Sequence, residues 1–289
     1  MKLLISGDWH LTDKTPINRI DNYWGTCKRK ITFILETAKR EKVDYILQPG
    51  DFTDSPSMSW SSFIELIDLF NKYRDIKILT VYGQHDLRYR IKGNTALDAI
   101  ATSCKNIEIE SVTVCSVSYN NAIPDKAKES SDILLIHGMI LQEKIWSGQE
   151  EYSDAVSFLR SNKFHLVVSG DNHQPFIVDS KVMKKHLFNC GALMRNKIDQ
   201  IDHKPFIILF NTDTKEYEKI MIPIEPAEKV FNIEKAVREK EKNENLDAFI
   251  SGLSEHKEVG LKFEDNLNSY LDENNIEQPI RNIIEEAKQ

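Results

Sequence analysis

Five short clusters of aspartates, histidines and glycines, each set directly behind a strand-like run, constrain this 289-residue chain more than any other feature. Asp8 and His10 follow the run at 2–6; Gly50 and Asp51 follow 44–48, with Asp54 in the same loop. Gly83-Gln84-His85-Asp86 follows 76–82, His137-Gly138 follows 132–136, and Gly170-Asp171-Asn172-His173 follows 165–169. In α/β sheets the carboxyl ends of the strands line one crevice, so these clusters are expected to converge there. Each alone is an ordinary turn signal. Five in order are not explained as turns. The glycines fit as well, because a residue without Cβ lets the chain turn sharply and aim the next side chain into the crevice.

Between the first runs, Ile31, Ile34, Leu35 and Ala38 recur at helical spacing, and so do Phe63, Leu66, Ile67 and Phe70. Short strands at 107–109 and 112–117 precede a polar loop ending near Ser131. The second half is richer in strands, at 176–178, 186–189, 206–210 and 216–222, the last two joined by a turn at 211–215. An α/β half followed by a β-rich half predicts a two-sheet β-sandwich flanked by helices, in four layers α/β/β/α. We expect this domain to span 1–224, and a charged linker with a small helical appendage to span 225–289. That tail holds a charge run at 234–245 and two amphipathic patterns: Phe263, Leu267, Tyr270, Leu271, then Ile280, Ile283, Ile284, Ala287.

Composition sets the class. At 40% hydrophobic and 29% charged residues the chain reads as globular with ample core. A net charge of -7 argues against a generally basic nucleic-acid binder, yet leaves room for a local basic rim. The apolar run at the N-terminus is too short for a signal peptide, and no stretch reaches a spanning length, so an intracellular, cytoplasmic location is expected. Cys27, Cys104, Cys115 and Cys190 form no C-x-x-C pair and are expected to be free thiols.

Carboxylates, imidazoles and one amide together suit manganese, iron, zinc or cobalt; a structural zinc site would draw on cysteines. Two ions need a shared ligand, and a carboxylate such as Asp51 can bridge them. At ~3.5–4 Å separation such a pair clamps a phosphoryl group and acidifies a bridging water.

The order Asp8-x-His10, Gly50-Asp51-x-x-Asp54, Gly83-Gln84-His85-Asp86, His137 and Gly170-x-x-His173 resembles that of the calcineurin-like metallophosphoesterases, over roughly residues 1–222. Within that family the chain resembles the SbcD-type nuclease subunit of double-strand-break repair, in its short phage-borne form. The chain opens directly on the Asp-x-His strand, the third motif ends in Asp86-Leu87, and Gly170-Asp171-Asn172-His173-Gln174-Pro175-Phe176 closes the set. The resemblance implies one metal on Asp8, His10, Asp51 and His173, and a second on Asp51, Gln84, His137 and Asp171. It implies that hydroxide shared by the metals attacks the phosphodiester, with His85 beside the scissile phosphate and Asp86 orienting its imidazole. Two positions depart from the family pattern. Gln84 replaces an asparagine, and Asp171 stands where many members carry histidine. Gln84 offers the same amide oxygen on a longer side chain, and Asp171 adds a negative charge; with these oxygen donors the site favours manganese or magnesium over zinc.

The substrate is less constrained. A manganese-dependent DNA exo- or endonuclease, acting in repair, recombination or replication, is the first expectation. A phosphatase or phosphodiesterase for nucleotides or other small phosphoesters is the second, and a silent scaffold for assembly the third. The phosphoprotein branch is disfavoured, because Asp54 is followed by Ser55-Pro56 and not by the arginine that grips a phosphomonoester. Arg88, Tyr89, Arg90 and Lys92 mix base-stacking and phosphate-binding types and read either as a DNA track or as a solvated loop. Lys184, Lys185, Arg195 and Lys197 read either as an extension of that rim or as solvated charges. Trp9 and Phe52 are expected to pack the site floor, Asp54 to fix its loop, and His165, His186, His203 and His256 to be structural or surface residues. The resemblance further implies DNA as substrate, a coiled-coil ABC-type ATPase as partner, and a homodimer.

Overall fold

Strand β1 (Lys2–Ile5) shows how the layers arise. Its residues are apolar on both sides of the pleat: Leu3 and Ile5 join one hydrophobic cluster, Leu4 another. A strand of this kind needs cover on both faces, and that is what a sandwich flanked by helices supplies. The computed structural model describes residues 1–123, 131–144, 151–180, 182–233, 267, 270–272, 274 and 276–287.

The first sheet runs β13 (Tyr217–Met221), β12 (Phe206–Asn211), β1, β2 (Tyr45–Gln48), β3 (Ile78–Thr80), β4 (Ile107–Ile109). Strands β1 to β4 are parallel, and β12 and β13 close the edge antiparallel. The second sheet runs β10 (Phe176–Ser180), β11 (Lys185–Asn189), β9 (Leu166–Gly170), β6 (Ile133–His137), β5 (Cys115–Val117), with only β10 antiparallel. Strands β7 (Ile140–Leu141) and β8 (Ser153–Asp154) form a separate small pair.

Leu3, Ile5, Leu47 and Leu79 from the first sheet share one core with Leu135, Leu166, Val168 and Phe188 from the second. Helices α1 (Tyr23–Glu41), α2 (Trp60–Lys72) and α3 (Ala96–Ser103) cover the outer face of the first sheet, with Ile31, Ile34, Leu66, Phe70 and Leu97 against Leu4, Ile46 and Ile78. Helix α4 (Ala155–Ser161) covers the second, placing Ala155 and Leu159 against Leu134, Val167 and Leu187. The expected α/β/β/α layering is therefore present. Full burial of each such side chain is worth about 1.5–3 kcal/mol.

Several boundaries differ from expectation. The run 76–82 forms a strand only over Ile78–Thr80, and 112–117 only over Cys115–Val117. The short elements α3, α4, β7 and β8 were not anticipated from periodicity.

The chain divides into two compact units, Met1–Asn232 and Ile233–Gln289. The first unit reaches past residue 224 because the short helix α5 (Ala227–Val230) and Phe231 return to it, with Val230 and Phe231 each 1% exposed. In the second, Leu267 and Leu271 are buried with Tyr270, Ile276 and Ile284 packed on them, and α6 (Gln278–Ala287) falls on the second amphipathic pattern. Phe263, His256 and the charge run 234–245 lie outside the described residues.

Candidate metal centre

The five clusters meet above the carboxyl ends of β1, β2, β3, β6 and β9. Backbone bonds stitch the loops together: Trp9 and His10 donate to the Asp51 carbonyl at 3.1 and 2.9 Å, and Asp8 donates to Gly191 at 3.0 Å. His10, Asp51 and Asp171 all hold left-handed backbone conformations, with φ of 45°, 48° and 80°. Such conformations cost a non-glycine residue on the order of 1–3 kcal/mol each and persist where surrounding structure imposes them. Glycine is required where the loops touch. A Cβ on Gly83 would lie 2.1 Å from Asp51 Oδ1, and one on Gly170 would lie 2.4 Å from Asp8 Oδ1.

One group of donors is formed by Asp8, His10, Asp51 and His173, whose ligand atoms lie within 4.8 Å of one another. His10 Nε2 is 3.0 Å from His173 Nε2 and 3.5 Å from Asp51 Oδ2. On the other side of Asp51, His137 Nε2 lies 3.5 Å from Asp51 Oδ2 and 4.0 Å from Asp171 Oδ1. Gln84 sits at the exposed edge, its amide nitrogen 3.3 Å from Asp171 Oδ1. Turning that amide over presents its oxygen to the same place. The structure thus brings every expected ligand residue to one crevice, with Asp51 between the two groups.

How these groups are satisfied is the informative part. Asp8 Oδ2 accepts from the Asp171 amide at 2.9 Å, while its Oδ1 is buried without a partner. Asp51 Oδ1 accepts from the His85 amide at 2.8 Å, while its Oδ2 is bare. His137 engages the Pro49 carbonyl through Nδ1 at 2.7 Å, which places the proton there and leaves Nε2 as a bare lone pair. His10 Nδ1 makes no hydrogen bond, although it faces the Asp54 carboxylate. A buried polar atom without a partner costs about 1–3 kcal/mol. In Asp8, Asp51 and His137 one atom is tied to the protein and another is held free.

Electrostatics point the same way. Burial, then the Asp51 charge, pushes the Asp8 carboxyl well above its ordinary value. Burial and then Asp86 push Asp51 up to about 9, and burial raises Asp171 to about 6. Burial holds His137 down to about 3 and His173 to about 4, with neighbouring histidines adding to both. Crowded carboxyls that resist ionising and imidazoles that resist protonation form a site short of positive charge. The donor set fits divalent cations, with oxygen and nitrogen ligands and no cysteine sulfur.

His85 is half-exposed at the rim, its Nδ1 held by the Asp54 carbonyl at 3.1 Å. Asp54 also places a carboxylate oxygen 3.3 Å from His10 Nδ1 and 3.9 Å from His85 Nδ1. Asp86, expected to orient the His85 ring, does something else. Its buried carboxylate accepts from the amides of Phe52, Thr53 and Gly83 and from the Thr53 hydroxyl, so it fixes the second and third loops to each other. Gln48, not singled out from the sequence, has a related role: its amide bonds Gly7, Gly50 and Thr80 and ties the first two loops to the end of β3. The signal in the sequence was a polar residue closing an apolar strand-like run. Trp9 and Phe52 are fully buried with ring centroids 4.7 Å apart, forming the floor.

Among the expected rim residues, Tyr89 is 89% exposed beside exposed Arg90, both with left-handed backbone. Arg88 bonds the Ser57 hydroxyl at 2.7 Å, and Lys92 bonds Glu110 at 2.5 Å. Arg195 is not a rim charge: it is buried and donates to the carbonyls of Ile201 and Glu225. Lys185 likewise reaches the carbonyls of Leu159 and Asn162. Lys184 and Lys197 are exposed, and Lys197 is near enough to disfavour protonation of His173. His165 and His186 pair with Asp132 and Asp179, and His203 bonds the Ala192 carbonyl.

Comparison with known proteins gives this arrangement its class. The sequence profile of the calcineurin-like phosphoesterases matches residues 1–175. The chain belongs to that family of metal-dependent phosphoester hydrolases. No curated protein sequence matches it. Similar solved structures include TT1561 of Thermus thermophilus, at 11% identity over 77% of this chain and 99% of that one, with a TM-score of 0.47. The Thermus thermophilus sulfate thiohydrolase SoxB is 13% identical over 89% of this chain, with a TM-score of 0.44. This chain spans 61% of SoxB. Zinc-complexed Vps29 from Entamoeba histolytica is 14% identical over 77% of this chain and all of its own, with a TM-score of 0.37.

Proposed function

We propose that the protein is a binuclear-metal phosphodiesterase acting on DNA, with manganese the preferred ion. The observation that carries the phosphodiesterase reading is the set of bare, buried atoms at the strand ends: Asp8 Oδ1, Asp51 Oδ2 and His137 Nε2. Asp8, His10, Asp51 and His173 would hold one cation, and Asp51, Gln84, His137 and Asp171 the other. Bound cations supply charge neutralisation at the phosphoryl oxygens and acidify the attacking water. His85 assists from the rim, meeting a phosphoryl or leaving oxygen with the nitrogen that Asp54 leaves free. Gln84 and Asp171 favour manganese through their oxygen atoms. The DNA reading rests on family resemblance and on exposed Tyr89 and Arg90, where a base can stack and a phosphate pair. A coiled-coil ABC-type ATPase partner and a homodimer belong to the same reading.

A nucleotide or other small phosphoester is the second reading, favoured by the pairing of Lys92 with Glu110, which offsets one of the rim charges. One experiment separates them. Purified protein is incubated with labelled duplex DNA, single-stranded DNA and a generic phosphodiester, each with manganese, magnesium or EDTA. Cleavage of DNA with manganese and none with EDTA is expected. Activity confined to the small ester would reject the nuclease reading.

A further inference from the structure

Away from the metal centre, a cleft of about 700 Å³ opens between α1 and the segment running from Ile222 to Val230. Its volume lies in the range of small-molecule sites. Lys30 and Arg195 are at its base, only 5% and 4% exposed. Neither forms an ion pair among the described residues. The Lys30 ammonium donates to the Leu193 carbonyl at 2.6 Å, and no other acceptor among the described residues bonds it. The Arg195 guanidinium donates to two backbone carbonyls. The adjacent carboxylate, Asp21, is taken by Arg19, whose Nε and Nη2 bond its two oxygens at 2.8 Å each. Buried cations without anionic partners are uncommon, because desolvation is not offset. Exposed Arg29 adds a further cation at the lip, while Phe33, Ile222 and Ile224 form an apolar wall. Of the acids in the lining, Glu36 accepts from the Tyr73 hydroxyl at 3.2 Å and Glu225 is exposed.

We propose that this cleft is a second ligand site, independent of the metal centre, that takes a small organic phosphate. The anionic group sits on Lys30 and Arg195, with Arg29 closing over it, and the organic body lies against Phe33, Ile222 and Ile224. Charge-assisted hydrogen bonds from an ammonium and a guanidinium supply the anchor. Binding is coupled to a proton. Burial, with Arg195 and Arg19 nearby, lowers the Lys30 amine to about 7, against which Cys27 and Asp21 act weakly. An arriving phosphate restores the charged amine, so the complex takes up a proton from buffer above that pH.

The probes are AMP, inorganic phosphate and adenosine, titrated calorimetrically into the full chain at pH 8 with EDTA present to strip the metal centre. AMP is expected to bind more tightly than phosphate, and adenosine about tenfold or more weakly than AMP. Repeating the AMP titration in buffers of different ionisation enthalpy should show proton uptake. Lys30→Met, which keeps the buried stem, should abolish that uptake and weaken AMP about tenfold. Arg29→Glu, at an exposed position that does not threaten folding, should weaken AMP with the uptake retained. Absence of saturable binding by AMP and phosphate would overturn the proposal. So would AMP affinity that both substitutions leave unchanged, or binding without proton uptake in the unsubstituted chain.

Discussion

His85 and Asp86 are neighbours in sequence and part company in role. The His85 ring is half-exposed with one nitrogen tied to Asp54, whereas the Asp86 carboxylate is wholly buried in loop amides. Two substitutions should separate them. His85→Ala should keep the metal content of the unsubstituted protein, measured by elemental analysis of the dialysed protein, and lose about 10²- to 10⁴-fold in kcat, the usual worth of a positioned acid or hydrogen-bond donor. Unchanged turnover would remove His85 from the mechanism. Asp86→Ala strands several buried amides at about 1–3 kcal/mol each, so chemical denaturation should show a loss of a few kcal/mol and metal occupancy should fall with it. Retained stability would show that the loops hold without the carboxylate. These positions also mark what the sequence discloses at this scale. The candidate ligands were legible as a set that converges, because aspartate and histidine behind a strand are delivered to the strand ends wherever the loop leads. The partners of Asp86, Asp54 and Gln48 were not, because a hydrogen bond across more than thirty residues depends on how two loops cross and leaves no local trace.

At the scale of elements, legibility followed periodicity and length. Helix α1 repeats Cys27, Ile31, Ile34, Leu35 and Ala38 on its buried face, so its pattern was plain. Helix α3 spans only Ala96–Ser103, too short for a period to declare itself. It carried another signal, a capping box in which Thr95 and Asp98 bond each other's backbone amides. Strand β3 proved shorter than its apolar run because Val81 to Gly83 leave the sheet to deliver the third cluster. That delivery depends on bare backbone. Gly83→Ala would press a methyl against both the Asp51 carboxylate and its amide, at 2.1 and 2.2 Å, so one loop must move. We expect the variant to fold with its helices intact by circular dichroism while manganese affinity drops by about tenfold or more, the scale seen when residues that orient ligands are changed. Wild-type manganese affinity would show that the loop yields without cost.

For the whole first unit, the metal centre joins stability to pH, and the sign can be worked out. Asp51 is raised to about 9 and Asp171 to about 6, so each binds protons more tightly in the folded chain than in the unfolded one. Their contribution is fullest below the ordinary carboxyl value of 3.8 and is lost as pH rises through the folded values. His137 and His173, lowered to about 3 and 4, run the other way: their contribution is present above 6.5 and is lost as pH falls below it. Above 6.5 these two histidines are neutral in both states, leaving the carboxyl contributions of Asp51 and of Asp8, which burial also raises. Lys30, lowered to about 7, acts oppositely in the same window, yet it lies outside the metal centre and contributes equally with and without cation. The readout is therefore a difference. Cations hold the carboxylates ionised and release their protons on binding. The gain in melting temperature from a fixed manganese concentration, relative to EDTA, should grow as pH is raised from about 6.5 to about 8.5. Asp51→Asn should reduce that growth, while Lys30→Met should leave it in place. A manganese gain that stayed constant across the window would mean that the buried carboxyls do not bind the ion.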